Sequence, residues 1–303
     1  MKKSILMCAV LIFAASHVFS AGKLNLKDIT SGVFSSERMT EVKPFNDGES
    51  YTQISPDGLQ IVKCSFKTGK QVEVLFDANT VRGDKIQRVD GYVMSPDGRN
   101  ILIQTQTKPI YRHSFTAVYY IYNIRNNKME PLSNGGPQQT PLFSPDGQQI
   151  AFVRDNNIHL VKLLYDNAES QVTKDGKWNE VINGIPDWVN EEEFGNSRAM
   201  VFTADSRQIC WVRYDESKVK EYSMQMFRGL KPSKEQYAEY PGFYTYKYPI
   251  AGETNSEVSV YSFDIKSRQT RKIQLPLNDG DYIPRIVMTS DPAKVAIYTM
   301  QRH

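Results

Sequence analysis

With 303 residues, 40% of them hydrophobic and 23% charged, the chain is long enough for one large all-β domain or two ordinary ones and has the composition of a soluble globular protein. Its 37 basic and 34 acidic residues leave a formal charge of +3. Lys2 and Lys3 supply two of these charges, and no basic stripe remains that would fit a nucleic-acid partner.

The first element in chain order reads as a leader. Lys2 and Lys3 make a positive start, and Ile5 to Ala15 is an apolar run too short to span a bilayer. Small residues up to Ser20 and Ala21 suit a cleavage site. Residues 1–20 are therefore predicted to be a signal peptide, with the mature chain, 21–303, exported to the periplasm or outside the cell and free of the membrane once the leader is removed. Cys64 and Cys210 remain after cleavage, each within a strand-like run. They read as buried small hydrophobes, because their spacing fits no zinc site. No metal and no cofactor is expected.

A turn then repeats. Ser-Pro-Asp-Gly stands at Ser55–Gly58, Ser95–Gly98 and Ser144–Gly147, 40 and 49 residues apart, with degenerate copies at Thr203–Ser206 and Thr289–Pro292. Each is followed by an apolar or alternating run: Ile61 to Phe66, Asn100 to Thr105, Gln149 to Arg154, Gln208 to Arg213, Lys294 to Thr299. Such runs read as strands, and no long stretch carries a helical period. A repeat of this length is that of a propeller blade, so the fold class is all-β, a β-propeller of four-stranded antiparallel blades. Turn spacing predicts blades at 40–82, 86–134, 138–180 and 196–276 and the start of a fifth at 281–303. The fourth carries a long insertion, about 215–252, whose density of tyrosine argues for a packed segment rather than a solvated loop.

Two stretches carry candidate chemistry. Asp187-Trp-Val-Asn-Glu191-Glu192-Glu193-Phe-Gly195 lies between blades, framed by Pro186 and Gly195, with an aromatic on either side of its acidic run. Three glutamates in a row are commonly a solvated face, but here the flanking rings suggest a packed segment that aims its charge. Neighbouring carboxylates repel and favour a cation between them, and a protonated amine with three N–H donors fits such a pair. In Tyr111-Arg112-His113-Ser114-Phe-Thr-Ala117, Arg112 falls on a loop between strands. It is either a surface arginine in a salt bridge or a fork for a carbonyl or carboxylate.

Asp-Trp-Val-x-Glu-Glu-Glu with Arg-His-Ser-aromatic-Thr-Ala, set on Ser-Pro-Asp-Gly blades, resembles the N-terminal domain of the dipeptidyl peptidase IV family. Lys247-Tyr-Pro-x-Ala-Gly252 followed by Asn255 also looks like the family's motif in its extended fourth blade, and the likeness runs from about Gly32 to His303. The resemblance implies that Glu192 and Glu193 grip the α-amino group of a peptide with a free N-terminus, and that Arg112 holds the carbonyl of its second residue. It implies the substrate-recognition part of a secreted serine exopeptidase that releases N-terminal X-Pro or X-Ala dipeptides as a homodimer. Asn190 departs from the family, which has tyrosine there. The family's propeller has eight blades and precedes an α/β-hydrolase domain with the Ser-Asp-His triad. This chain ends at Met300-Gln-Arg-His303, so catalytic residues are expected to be absent and the chain alone inactive. Gly195-Asn-Ser197-Arg-Ala199 is a poor match to a nucleophile elbow, lacking the strand before and helix after it. The alternative is a free-standing exported propeller that binds a peptide N-terminus or a partner protein.

Overall fold

The structure, a computed structural model, describes residues 24–36, 41–227 and 241–302. The predicted signal peptide and part of the insertion, with Tyr237 and Tyr240, lie outside the described residues. The chain divides into two units, Met1–Glu41 and Val42–His303. In the first, helix α1 (Leu26–Thr30) is capped by Asn25, whose side chain accepts the N–H of Asp28 at 2.9 Å.

The second unit is a series of antiparallel sheets. The first blade is β1 (Lys43–Pro44), β2 (Ser50–Ile54), β3 (Gln60–Ser65) and β4 (Gln71–Asp77), hydrogen-bonded in that order. In the second, β6 (Gly91–Met94), β7 (Asn100–Pro109), β8 (Phe115–Asn123) and β9 (Lys128–Pro131) follow one another, and the short β5 (Arg82–Gly83) adds a parallel edge on β9. Turn spacing could not show β5. It depends on Gly83, where a Cβ would stand 2.3 Å from the Met129 carbonyl oxygen. The third blade is β10 (Gln139–Phe143), β11 (Gln149–Arg154), β12 (Asn157–Lys162) and β13 (Ala168–Gln171).

The fourth blade differs from its expected bounds of 196–276. It begins with β14 (Val181–Asn183), passes through helix α2 (Trp188–Phe194) and resumes with β15 (Met200–Phe202). Both short strands pair with β16 (Gln208–Asp215), β14 along Arg213–Asp215 and β15 along Ile209–Trp211. The acidic run therefore interrupts the first strand of a blade and does not lie between blades. After β16 comes a hairpin of β17 (Glu221–Met226) and β18 (Gly242–Lys247), the described part of the insertion. The sheet is completed by β19 (Glu257–Asp264) and β20 (Gln269–Ile273), and a hairpin of β21 (Tyr282–Met288) and β22 (Val295–Met300) follows.

The repeated turns share one hydrogen-bonding scheme. In Ser144–Gly147 the serine Oγ accepts the Gln149 N–H at 3.0 Å, Asp146 Oδ1 accepts the Gln148 N–H at 3.0 Å, and the Gly147 N–H returns to the Ser144 carbonyl at 2.8 Å. The Ser55 and Ser95 copies repeat it, and Thr203 with Asp205 reproduces it in the degenerate copy. The fourth turn residue is left-handed, with φ of 70° at Gly147 and 60° at Ser206. Gly147→Ala would strain that backbone and place Cβ 3.0 Å from Asp97 Cγ. It is expected to cost about 1–2 kcal/mol of unfolding free energy in a urea titration; a midpoint equal to the parent's would contradict this.

Central strands are apolar on both faces because blades stack. Ile101 and Ile103 of β7 join a core with Ile61 and Phe76 of the first blade, while Leu102 turns to a second core with Ile150 and Phe152 of the third. Ala151 and Val153, one residue out of phase, feed a third core with Trp211 and Ile283. Period-2 alternation thus serves two interfaces at once. Cys64 and Cys210 are free and buried, and burial pushes the Cys210 thiol up to about 11.

Candidate functional site

Helix α2 forms over seven residues because both its ends are fixed. Asp187 is its N-cap, accepting the Asn190 N–H at 2.9 Å, and Gly195 ends it in the left-handed region at φ 59°. The other Asp187 oxygen accepts the Ser256 hydroxyl at 2.5 Å. At the far end, Arg285 of β21 donates to the Phe194 carbonyl. Trp188 packs on Tyr248 with centroids 4.4 Å apart, and Phe194 on Tyr282 at 5.6 Å. The motif that begins at the end of β18 is thus part of the support for the acidic one. Lys247 donates to the Val219 carbonyl at 2.7 Å, Tyr248 covers Trp188, and Asn255 donates to Gly280 at 3.0 Å.

Successive residues of a helix point about 100° apart. The three glutamates therefore have three environments. Glu191 is 1% exposed, Glu192 is mostly covered, and Glu193 is exposed with no hydrogen bond or ion pair among the described residues. Asn190 faces inward at 2% exposure. Its Nδ2 donates to Asp187 Oδ1 at 2.8 Å, and its Oδ1 has no partner.

Arg112 stands at the tip of the β7–β8 hairpin, where the Ile110 N–H closes the turn onto the Ser114 carbonyl at 2.9 Å. Its Nε lies 3.1 Å from Glu192 Oε2. The rest of the guanidinium is open, with 76% of the side chain exposed and no other charged partner among the described residues. The structure thus brings Arg112 and Glu192 together across 80 residues of chain, with Glu193 on the next position of the helix. Of the two sequence options for Arg112, the structure shows the salt bridge, with Glu192 as the partner, and the terminal guanidinium nitrogens remain open.

Sequence reasoning did not single out Glu191, whose carboxylate accepts the N–H groups of His113 and Ser114 at 2.8 and 2.7 Å. It also missed Glu216. That residue is 7% exposed and shares a cavity of about 70 Å³ with Asp187, Glu191, Lys247 and Tyr111. Burial pushes its carboxyl up to about 8, the Asp187 carboxylate adds to the push, and Lys247 opposes it. A cavity of about 830 Å³ lies beside the site, lined by Tyr111, Trp178, Trp188, Met224 and Tyr246, but neither glutamate of the pair nor Arg112 reaches it.

Ser197 follows a helix and precedes β15, the reverse of a nucleophile elbow. His159 sits on β12 with Nδ1 2.9 Å from Glu169, and burial together with Arg154 lowers its pKa. Among the described residues no cluster of His, Cys, Asp or Glu could hold a metal ion, and no helix is long and apolar enough to cross a membrane.

Blades of this kind, with an acidic helix clamped to an arginine hairpin, define a β-propeller, and comparison with known proteins gives its family. The family model described as dipeptidyl peptidase IV (DPP IV) N-terminal region matches residues 95–303. The chain belongs to that family. The crystal structure of Porphyromonas gingivalis dipeptidyl peptidase 4 matches with a TM-score of 0.86 and 40% identity, over 92% of this chain and 39% of that one. A protein of Emericella nidulans named "Probable dipeptidyl-aminopeptidase B" is 35% identical over 218 residues, 69% of this chain and 24% of its own. A protein of the same name from Talaromyces marneffei is 32% identical over 217 residues, again 69% of this chain and 24% of its own. The chain spans about a quarter of the length of these relatives.

Proposed function

We propose that this chain is the substrate-recognition portion of an exported dipeptidyl peptidase IV-type serine exopeptidase, in which Glu192 and Glu193 bind a peptide's α-amino group and Arg112 its second carbonyl. The observation that supports the reading is the pairing of Arg112 Nε with Glu192 Oε2 at 3.1 Å beside the exposed Glu193, which has no partner among the described residues. That arrangement leaves, among the described residues, one carboxylate without a partner, one engaged by Arg112 through its side chain and its backbone N–H, and open guanidinium nitrogens within one small patch. An α-amino group is cationic up to about pH 7.7–8.0, so its N–H groups can donate to both carboxylates while the carbonyl of the peptide's second residue accepts from the arginine. Fixing the amine fixes how far the peptide reaches, which is how a recognition site of this kind can count two residues. Release of X-Pro or X-Ala dipeptides, homodimer formation and a periplasmic or extracellular location belong to the same proposal, for the complete enzyme.

The test compares Ala-Pro-Ala amide with its N-acetylated form by NMR titration of this chain. Acetylation removes the charge and two of three donors, and charge-assisted hydrogen bonds contribute roughly 1.5–3 kcal/mol each, so affinity is expected to fall about tenfold or more. Equal affinities for the two peptides would refute the amine site.

A further inference from the structure

Three consecutive backbone N–H groups at the β7–β8 tip all donate to carboxylates of α2. The Arg112 N–H reaches Glu192 Oε1 at 3.3 Å, and those of His113 and Ser114 reach Glu191 Oε1 at 2.8 and 2.7 Å. Successive amides turned to one side make an anion-binding concavity, and here the anion is supplied by the protein itself. Glu191 is 1% exposed, and no other hydrogen bond or ion pair of its carboxylate exists among the described residues. A buried carboxylate is costly unless hydrogen-bonded, so its place is set by this loop and the loop's by it.

We infer that Glu191 is a positioning residue: its buried carboxylate locks the Arg112 hairpin onto α2 and so sets the distance between the guanidinium and the Glu192–Glu193 pair. This rests on the amine-site reading above. The mechanics follow from what each contact constrains. Arg112's side chain is mostly exposed, and its ion pair with Glu192 is a single Nε contact. Exposed pairs hold geometry weakly. The two short bonds to Glu191 are charge-assisted, are shielded from water and act on the backbone on the C-terminal side of Arg112. They fix where the arginine's Cα stands, and the ion pair then has only a side-chain rotamer left to choose. Helix α2 is itself held at both ends, by Ser256 on Asp187 and by Arg285 on the Phe194 carbonyl, so Glu191 transmits a fixed frame to the hairpin. The run of three glutamates thus divides its labour, with Glu191 placing the arginine, Glu192 joining it and Glu193 remaining open.

The test uses the full chain, Ala-Pro-Ala amide and the variants Glu191→Ala and Glu191→Gln. Removing the acceptor is expected to weaken peptide binding about tenfold. Glu191→Gln, which keeps an oxygen but no charge, should fall between Glu191→Ala and the parent. Hydrogen exchange at the His113 and Ser114 amides should accelerate, and the Arg112 Nε–H signal should shift. A loss of stability alone lowers the folded fraction but leaves the affinity of folded protein unchanged. A folded Glu191→Ala that binds within twofold of the parent overturns the inference. If that variant does not fold, Glu191→Gln decides on the same criterion, and failure of both to fold marks a structural group and overturns it too. If the parent itself does not prefer the free amine, the amine-site reading fails. The lock is then judged by the exchange rates and the Arg112 signal: unchanged values overturn it, changed ones uphold it.

Discussion

Trp211→Ala is expected to lower the unfolding free energy by about 3–5 kcal/mol. The ring is 2% exposed and lies on β16, the strand that both halves of the interrupted strand pair with. It stacks on Tyr261 with centroids 5.7 Å apart, and its Nε1–H donates to Asn183 Oδ1 at 3.0 Å. Truncation leaves a cavity at the meeting of the third and fourth blades and removes a partner of a buried amide, a second penalty of about 1–3 kcal/mol where the group cannot rehydrate. Trp211→Phe separates the two, because it keeps most of the packing and loses only the N–H. Asn183 also donates to Asp175, which pairs with Arg213 at 2.8 Å, so the loss spreads along β14 and β16. Hydrogen exchange of α2 should rise with it, since β14 and β15 are the strands that carry the helix. A urea midpoint within error of the parent, or unchanged exchange in α2, would show that these strands are not what holds the acidic helix.

The propeller was legible in the sequence because its signal is local. In each Ser-x-Asp turn the side chains bond to residues two and five positions on, so chain spacing and structure coincide. The runs after the turns read correctly as strands because blades bury both faces. What escaped were features whose cause is distant in the chain. Helix α2 is two turns long, too short for a 3.6-residue period to show, and its stability comes from Ser256 and Arg285 on other elements. The acidic run was recognisable as a candidate site, but three identical glutamates in a row carry no information about which is buried. Only helical geometry separates Glu191 from Glu193. Asp215-Glu216 after a strand reads as a polar turn, and its burial depends on α2, on Tyr111 and on Lys247 closing around it. Strand β5, two residues long, is visible only through its pairing with β9.

Glu216 leads to the second large effect, a stability that falls as pH rises. Its carboxyl has an ordinary value of 4.5 and stands at about 8 in the folded chain, first through burial and then through the Asp187 carboxylate, with Lys247 opposing. The charged groups facing it are Asp187 and Glu191 from the α2 segment, Lys247 from the end of β18 and its neighbour Asp215. Between those two pH values the folded chain holds a proton that the unfolded chain has released. Stability therefore declines with rising pH through that window and levels off above it. The full span corresponds to a few kcal/mol, on the order of 1.4 kcal/mol for each unit of displacement. Glu216→Gln removes the titration without removing the side chain's volume. Paired urea titrations from pH 5 to pH 9 should thus show the parent losing stability relative to Glu216→Gln up to about pH 8 and the difference then staying constant. The comparison of slopes matters more than the absolute values, because the buried amide has hydrogen-bonding needs of its own. Two parallel curves across the whole range would mean that Glu216 ionises in the folded chain as it does in water. Since Glu216 shares its cavity with Glu191, the negative charge it acquires at high pH is also set against the carboxylate that holds the Arg112 hairpin. Exchange at the Ser114 amide should therefore quicken over the same pH window in the parent, beyond the base-catalysed rise seen in Glu216→Gln.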